Sequence, residues 1–365
     1  MRAGSAAQAR AAVSGGGRRG AVRDPHWDNV RYLSGTLVVI GHAVEELRYA
    51  DGVLWLYLAT WALRLPVFAL VCGCFSSAEP PTAREIRRLV ESVAVPYLVF
   101  SVLHAAQIRL LTGAWDFSLG DPAWGLWFLL SLIFWRVALP YVALLPHPFL
   151  ASVLAALAVG YFDEFGTEFS AARTVAFFPF FVLGWKISRG DLNAFFTARR
   201  ARPVSGLVVA GSMACMWFLR DDVRLAWLPM RGPYGSEGEV FGAAGAWLVR
   251  AALIALGATV AVCFVHLVPR RRIPVVTYLG AGGMYIYLLH IFFIRAARHH
   301  GLHEHADHWH GHVAVIAGAA LLAAALASPP VRRLARPLVQ PRIARLGGQS
   351  GCAGERSTEW ERGNR

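Results

Sequence analysis

His42 is followed three and four residues later by Glu45 and Glu46. On a helix those positions lie near its own face, so either carboxylate can reach the imidazole. A histidine steered by a carboxylate is a common arrangement for a general base, since histidine changes charge near neutral pH. Arg31 precedes His42 by eleven residues. That is close to three helical turns, which puts both on one face about 16 Å apart along the axis. The spacing suits two ends of one cavity rather than a contact pair. Asp28 stands one turn before Arg31. A plainer reading covers the same residues: a histidine bonding between helices, and two glutamates at the wet end of a buried segment. Position alone leaves the two readings level.

Arg84, Arg87 and Arg88 form a second group. Arg84 and Arg87 share a face if the segment is helical. Guanidinium groups at a membrane surface can hold phosphates, because the planar fork meets phosphate oxygens in pairs. Ordinary orientation signalling accounts for the same run, and composition alone favours it. The run from Tyr285 to His290 offers Tyr287 and His290 as groups that could line an acceptor site. A histidine satisfied between helices is the plainer alternative. Seven histidines between His299 and His312 are dense enough for zinc or copper. No cysteine or fixed ligand spacing accompanies them, so pH-tuned surface behaviour is the favoured reading and no metal is expected. The five cysteines, Cys72, Cys74, Cys215, Cys263 and Cys352, read as small hydrophobes. No glycine-rich phosphate loop, serine-hydrolase elbow or zinc-protease motif stands in a credible context, which leaves nucleotide hydrolysis and zinc proteolysis unsupported.

The elements that must position these groups are written in the composition. Charged residues are 16 % of the 365, and the AVILMFWYC set is 56 %. An ordinary soluble domain has about 25 % charged residues. Mean hydropathy is positive, at +0.44. Disorder and a nucleic-acid-binding domain are both poor fits, and no nucleic-acid partner is expected. The net charge of +13 comes from short basic runs between apolar stretches, the pattern by which membrane proteins fix their orientation. Continuous apolar runs exclude a β-barrel. The expected fold is an all-α integral membrane protein with about ten transmembrane helices in one bundle. The candidate spans are 31–47, 53–75, 90–111, 124–145, 149–162, 172–188, 204–219, 240–267, 273–294 and 312–328. Residues 1–22 read as a disordered arm, 23–330 as the membrane domain, and 331–365 as a basic, mostly disordered tail. Placing both termini in the cytoplasm gathers Arg84–Arg88, Lys186–Arg202, Arg270–Arg272 and Arg332–Arg336 on that side. Lys186 is the only lysine, and heavy use of Arg, Ala, Gly and Val resembles a GC-rich bacterial genome. The expected location is therefore a bacterial cell membrane. Arg31, His42, Glu45, Glu46, Arg64, Gln107, Arg136 and His290 fall inside or at the ends of spans. Ionisable groups at that depth normally face a bundle interior or wet cavity.

A set of segments in order carries a resemblance. Arg23 to Leu33, with Asp28 and Arg31, is followed by Val38-Val39-Ile40-Gly41-His42. Then come Arg64-Leu65-Pro66-Val67-Phe68, Gly73 to Ser76, Arg84 with Arg87, and Val95-Pro96-Tyr97. Leu126 to Leu129, Phe177 to Gly184, and Tyr287 to His290 complete the series. Together they resemble the acyltransferase-3 family of membrane proteins, most closely its fucose 4-O-acetylase-like branch, over about residues 23–328. Departures are small: Cys72 stands where Ser is common, and Leu63 and Arg64 precede Leu65 where Met is common.

The resemblance implies transfer of an acyl group, usually acetyl from acetyl-CoA, to a hydroxyl of a sugar or glycan-like acceptor at or beyond the membrane. Acyl-CoA would be a donor co-substrate, with no cofactor bound permanently. The lipid bilayer and a glycan or glycosylated small molecule would be the other partners. His42 maps to the catalytic position, with Glu45 or Glu46 read as orienting it. Arg31, Arg84 and Arg87 map to the donor side, with Arg88 beside them in the basic loop, and Asp28, Tyr287 and His290 are candidates on the acceptor side. A multi-pass transporter or flippase using the same buried charges is the alternative.

Overall fold

The computed structural model describes residues 24–162, 168–237 and 245–341, and among these it contains helices and turns but no strand. The arm at 1–22 and the tail from 342 lie outside the described residues, as do Asp163, Glu164 and Glu239 of the expected outer loops. The principal helices are α1 Pro25–Ala43, α2 Asp51–Ala59, α3 Trp61–Cys74, α4 Ala83–Leu89, α5 Val95–Thr112, α6 Trp127–Val142 and α7 Pro148–Ala158. They continue as α8 Ala171–Ser188, α9 Ala201–Leu219, α10 Trp247–Leu267, α11 Pro274–Gly280, α12 Gly283–His299, α13 Trp309–Leu326 and α14 Pro329–Val339.

Each expected span coincides with helix over most of its described residues, but ten full crossings do not follow. Six segments are long and apolar enough: 51–74, 83–112, 124–142, 201–219, 247–267 and 309–326. The pair α11 and α12 adds a seventh if its 80° bend lies within one span. Helix α7 is short, as the expected 149–162 segment already hinted. The two remaining helices, α1 and α8, are the most enclosed. Helix α1 buries His26, Asp28, Asn29 and Ser34, and α8 buries most of its length, including Thr174. A helix that faces other helices can carry polar groups where a lipid-facing one cannot. Helices α9 and α13 show the reverse pattern. Leu207 is 74 % exposed, Phe218 77 % and Leu321 71 %, apolar surface of the kind that lipid covers.

Asp24 starts α1 by accepting the His26 amide at 2.9 Å, and Pro25 takes the first position, where no amide is needed. Helix α1 packs against α3, α11, α12 and α13, and α3 packs against α8 and α10. Glycine sets the α3–α8 distance. A Cβ on Gly73 would lie 1.9 Å from the Phe181 carbonyl oxygen, and one on Gly184 would lie 1.8 Å from that of Leu70. Only hydrogen fits at either place, and each glycine admits the other's helix. Trp135, Phe177, Phe180 and Phe181 fill the space beside this contact, all fully buried. The Trp135 indole donates to the Thr174 carbonyl at 2.7 Å.

The bundle has two distinct ends. At one, the Asn29 amide donates to the carbonyls of Pro269 and Arg271, and Trp27 meets Phe75 edge-on. Arg202 reaches Leu267 there at 3.2 Å. Arg31, by its place near the start of α1, Arg202 and the Arg270–Arg272 loop therefore lie at one end, the basic end. The bundle continues past the expected boundary at 330, because α14 packs Ala335 and Val339 against it.

Candidate active site

Helix α1 ends at Ala43, and a single tight turn, Glu45–Leu47, follows. Glu45 therefore lies beyond the helix, and its carboxylate folds back to His42, with Nδ1 and Oε1 3.0 Å apart. A carboxylate only accepts, so the imidazole carries its proton on Nδ1 and Nε2 is left as the basic nitrogen. Glu46 does not reach the ring. It is 44 % exposed by side chain and pairs with Arg298 at 3.2 Å. Helical spacing put both glutamates in reach of His42; the tight turn breaks that spacing and selects Glu45.

Arg298, near the end of α12, holds the second oxygen of Glu45. The same guanidinium donates to the His42 carbonyl at 3.0 Å and lies 4.4 Å over the Trp124 ring. Burial works against ionisation of Glu45, but the hydrogen bond and charge of His42 and then Arg298 outweigh it and hold its carboxyl at about 2. Glu45 is thus a fixed negative charge at any physiological pH. Trp124 has a positive φ of 43°, a left-handed conformation that costs a bulky residue roughly 1–3 kcal/mol. Its indole meets the His42 ring edge-to-face, with centroids 5.6 Å apart.

His290 stacks on His42 from α12, with centroids 5.5 Å apart and planes 29° from parallel. Its Nδ1 donates to the Ile286 carbonyl at 2.8 Å, and its Nε2 is buried without a hydrogen-bond partner. One turn earlier, the Tyr287 hydroxyl donates to the Gly125 carbonyl. His42, Glu45, Tyr287 and His290 all line one cavity of about 730 Å³. That size falls within the roughly 300–1,000 Å³ typical of small-molecule sites. Phe68, Phe128 and Tyr287 line it, with loop residues from between Asp116 and Gly125 and between Leu225 and Arg231.

Arg64 enters this cavity from α3. It is 7 % exposed and donates to the Tyr57 carbonyl at 2.6 Å, with its Cζ 4.3 Å over the Tyr57 ring. Gly41 makes room for it, since a Cβ there would sit 2.0 Å from Arg64 Nη1.

The other expected site residues are elsewhere. Asp28 and Arg31 approach to 3.4 Å, and Arg31 lies 4.6 Å over the Phe75 ring at the basic end. Neither lines the cavity. The shared α1 face holds, but the cavity occupies only its His42 end. Arg84, Arg87 and Arg88 are exposed on α4, whose start is fixed by a reciprocal cap between Thr82 and Glu85. They too stand off the cavity. No group of three or more His, Cys, Asp or Glu side chains is placed to hold a metal among the described residues. Sequence reasoning missed Arg298, Trp124, Arg173 and Arg231. Arg298 offered one signal: it lies two turns beyond His290 on one helix, at the end where His42 had to be.

A family model described as an acyltransferase domain, that of acyltransferase-3, matches residues 24–328. No curated protein and no solved structure matches the chain. The match gives no support to a transporter or flippase. It spans every residue that lines the cavity, and the chain belongs to the acyltransferase-3 family.

Proposed function

We infer that the protein transfers an acyl group, expected to be acetyl, from acyl-CoA to a hydroxyl of a sugar or glycan-like acceptor. The family supplies the reaction class. The observation that carries the reading is the chain Arg298–Glu45–His42 at the wall of the cavity. An alcohol is a weak nucleophile near neutral pH and needs a base to attack a thioester. His42 Nε2 takes the hydroxyl proton as the oxygen bonds to the thioester carbonyl carbon. Glu45 holds the ring and opposes the positive charge that forms on it. The buried Arg64 guanidinium, which gives Nη2 to the Tyr57 carbonyl and keeps Nη1, is a cation for the oxyanion. Collapse expels the CoA thiolate, which recovers the proton from His42.

In this reading Arg31, Arg84, Arg87 and Arg88 receive the donor phosphates at the basic end, and that end faces the cytoplasm of a bacterial cell. All ten helical segments cross the membrane, the shorter ones sheltered by the rest, and both termini are cytoplasmic. The separation of about 16 Å between Arg31 and His42 along α1 is covered by the extended pantetheine arm, past Phe68, Phe128 and Tyr287. The acceptor enters from the opposite end, between Tyr287 and His290 and the loops.

The test is transfer from labelled acetyl-CoA to glycan acceptors in proteoliposomes, with donor binding measured on the same preparation. His42→Ala is expected to lower kcat by about 10²–10⁴, the usual contribution of a general base, while acetyl-CoA still binds. A folded His42→Ala protein with unaltered turnover overturns the assignment.

A further inference from the structure

Five guanidinium groups line the cavity, those of Arg48, Arg64, Arg173, Arg231 and Arg295, against the carboxylates of Glu45, Asp116 and Asp121. Glu45 is already engaged by His42 and Arg298. None of the five has a carboxylate oxygen within 4.0 Å among the described residues. Three of them spend their hydrogen bonds on the protein. Arg48 donates to the Glu45 carbonyl at 2.6 Å, Arg64 to that of Tyr57, and Arg295 to His104 at 3.0 Å and Gln107 at 2.8 Å.

Arg173 and Arg231 differ. Neither donates a hydrogen bond to a protein atom among the described residues. Arg173 is fixed in place, with its Cζ 4.5 Å over the Trp127 ring and its Nε enclosed without a partner. Arg231 lines the same cavity as Arg173, and Asp121 is on its wall as well. Arg173 is half-buried and Arg231 is exposed, and both line the same cavity; two like charges facing one cavity favour an anion between them. Helix α8 begins at the same place, with Ser170 on the cavity wall, so its first-turn amides add positive potential.

We propose that the acceptor carries an anionic group, a carboxylate or a phosphate, which Arg173 and Arg231 hold while the acceptor hydroxyl meets His42. The proposal rests on the acyltransferase reading and narrows its acceptor to acidic or phosphorylated sugars. A neutral sugar leaves both guanidinium groups uncountered. A carboxylate or phosphate takes two or more charge-assisted hydrogen bonds from them at once.

The phosphates of CoA share this chemistry, so the experiment separates the two sources. Trigalacturonate, glucose 1-phosphate, maltotriose and CoA are titrated separately into the full-length protein in detergent, by calorimetry and with no acyl donor present. At least one charged sugar is expected to bind about tenfold or more tighter than maltotriose, and Arg173→Gln with Arg231→Gln is expected to remove that margin. Added salt is expected to weaken the charged sugar and leave maltotriose unaffected. That salt series uses the unmodified protein and decides the matter if the double variant does not fold. Equal binding of neutral and charged sugars, or no millimolar binding of either charged sugar, overturns the proposal. So does a double variant that loses CoA binding and keeps the charged sugar, which makes the two arginines a donor site. Because binding is read without turnover, a failure here leaves the role of His42 standing, and loss of that role leaves the binding result standing.

Discussion

Glu45→Gln isolates the charge behind His42 with almost no change in shape. Glu45 accepts from His42 Nδ1 at 3.0 Å and from Arg298, and its side chain is 16 % exposed, so water screens it little. The contact to Arg298 is present throughout turnover and cancels between ground and transition states. The contact to His42 does not cancel, because the ring becomes positive only as it takes the hydroxyl proton. A hydrogen bond to a charged group contributes about 1.5–3 kcal/mol. Lost from the transition state alone, that is about 10–150-fold in kcat. Glutamine can also present its amide hydrogens to Nδ1, which favours the tautomer with its proton on Nε2 and pushes the loss toward the upper figure. The apparent KM for acetyl-CoA is expected to stay unchanged. The assay is single-turnover acetyl transfer in proteoliposomes at saturating donor. His42→Ala with Glu45→Gln is expected to be no slower than His42→Ala alone, since the glutamate acts only through the histidine. A folded Glu45→Gln protein with unaltered kcat, or a double variant in which the two losses multiply, refutes the reasoning.

Gly73→Ala puts a Cβ 1.9 Å from the Phe181 carbonyl and is expected to destabilise the bundle by about 1–3 kcal/mol, whereas Gly206→Ala meets nothing within 4 Å; thermal unfolding in detergent compares the two, and equal midpoints refute the close approach. Arg84→Ala with Arg87→Ala is expected to raise the apparent KM for acetyl-CoA more than that for the acceptor, and unchanged donor dependence in a folded protein reduces α4 to orientation signalling. A single cysteine at position 85 is expected to resist an impermeant thiol reagent added outside intact cells, and its labelling there reverses the orientation. Glu45 ties stability to acid: its contribution is complete above about 4.5 and lost as pH falls toward about 2, so Glu45→Gln is expected to show a shallower fall in unfolding temperature over that range.

Much of the fold was legible because lipid imposes a one-dimensional rule. A segment facing hydrocarbon must be apolar along its length, and α9, α10 and α13 declare themselves that way. The same rule is weakest for α1 and α8. Their neighbours are other helices, so Asp28, Asn29 and Thr174 are tolerated there, and the enclosed centre of the bundle is the part least like a span. The α3–α8 contact was visible only as two glycines, Gly73 at the head of the Gly73–Ser76 segment and Gly184 at the end of the Phe177–Gly184 segment. Nothing in either segment alone says that each faces a carbonyl of the other.

The site divides along the same line. His42 with a nearby carboxylate is a local pattern and was readable, yet which carboxylate depended on where α1 stops, and helix ends are poorly marked in a chain with no glycine or proline between Ala43 and Ala50. Arg31 and His42 do share a helix, but a common face says nothing about how far a cavity extends along it. Arg298, Arg173 and Arg231 are separated from His42 by 131 to 256 positions, and each is one arginine among 35. In such a sequence an arginine carries little information by its type. It gains meaning only from what surrounds it: a carboxylate for Arg298, a neutral main-chain carbonyl for Arg64, and for Arg173 an indole face with no countercharge in contact. That last environment is the one from which acceptor chemistry can be argued, because a guanidinium with no hydrogen bond or ion pair to the described residues is available to a ligand.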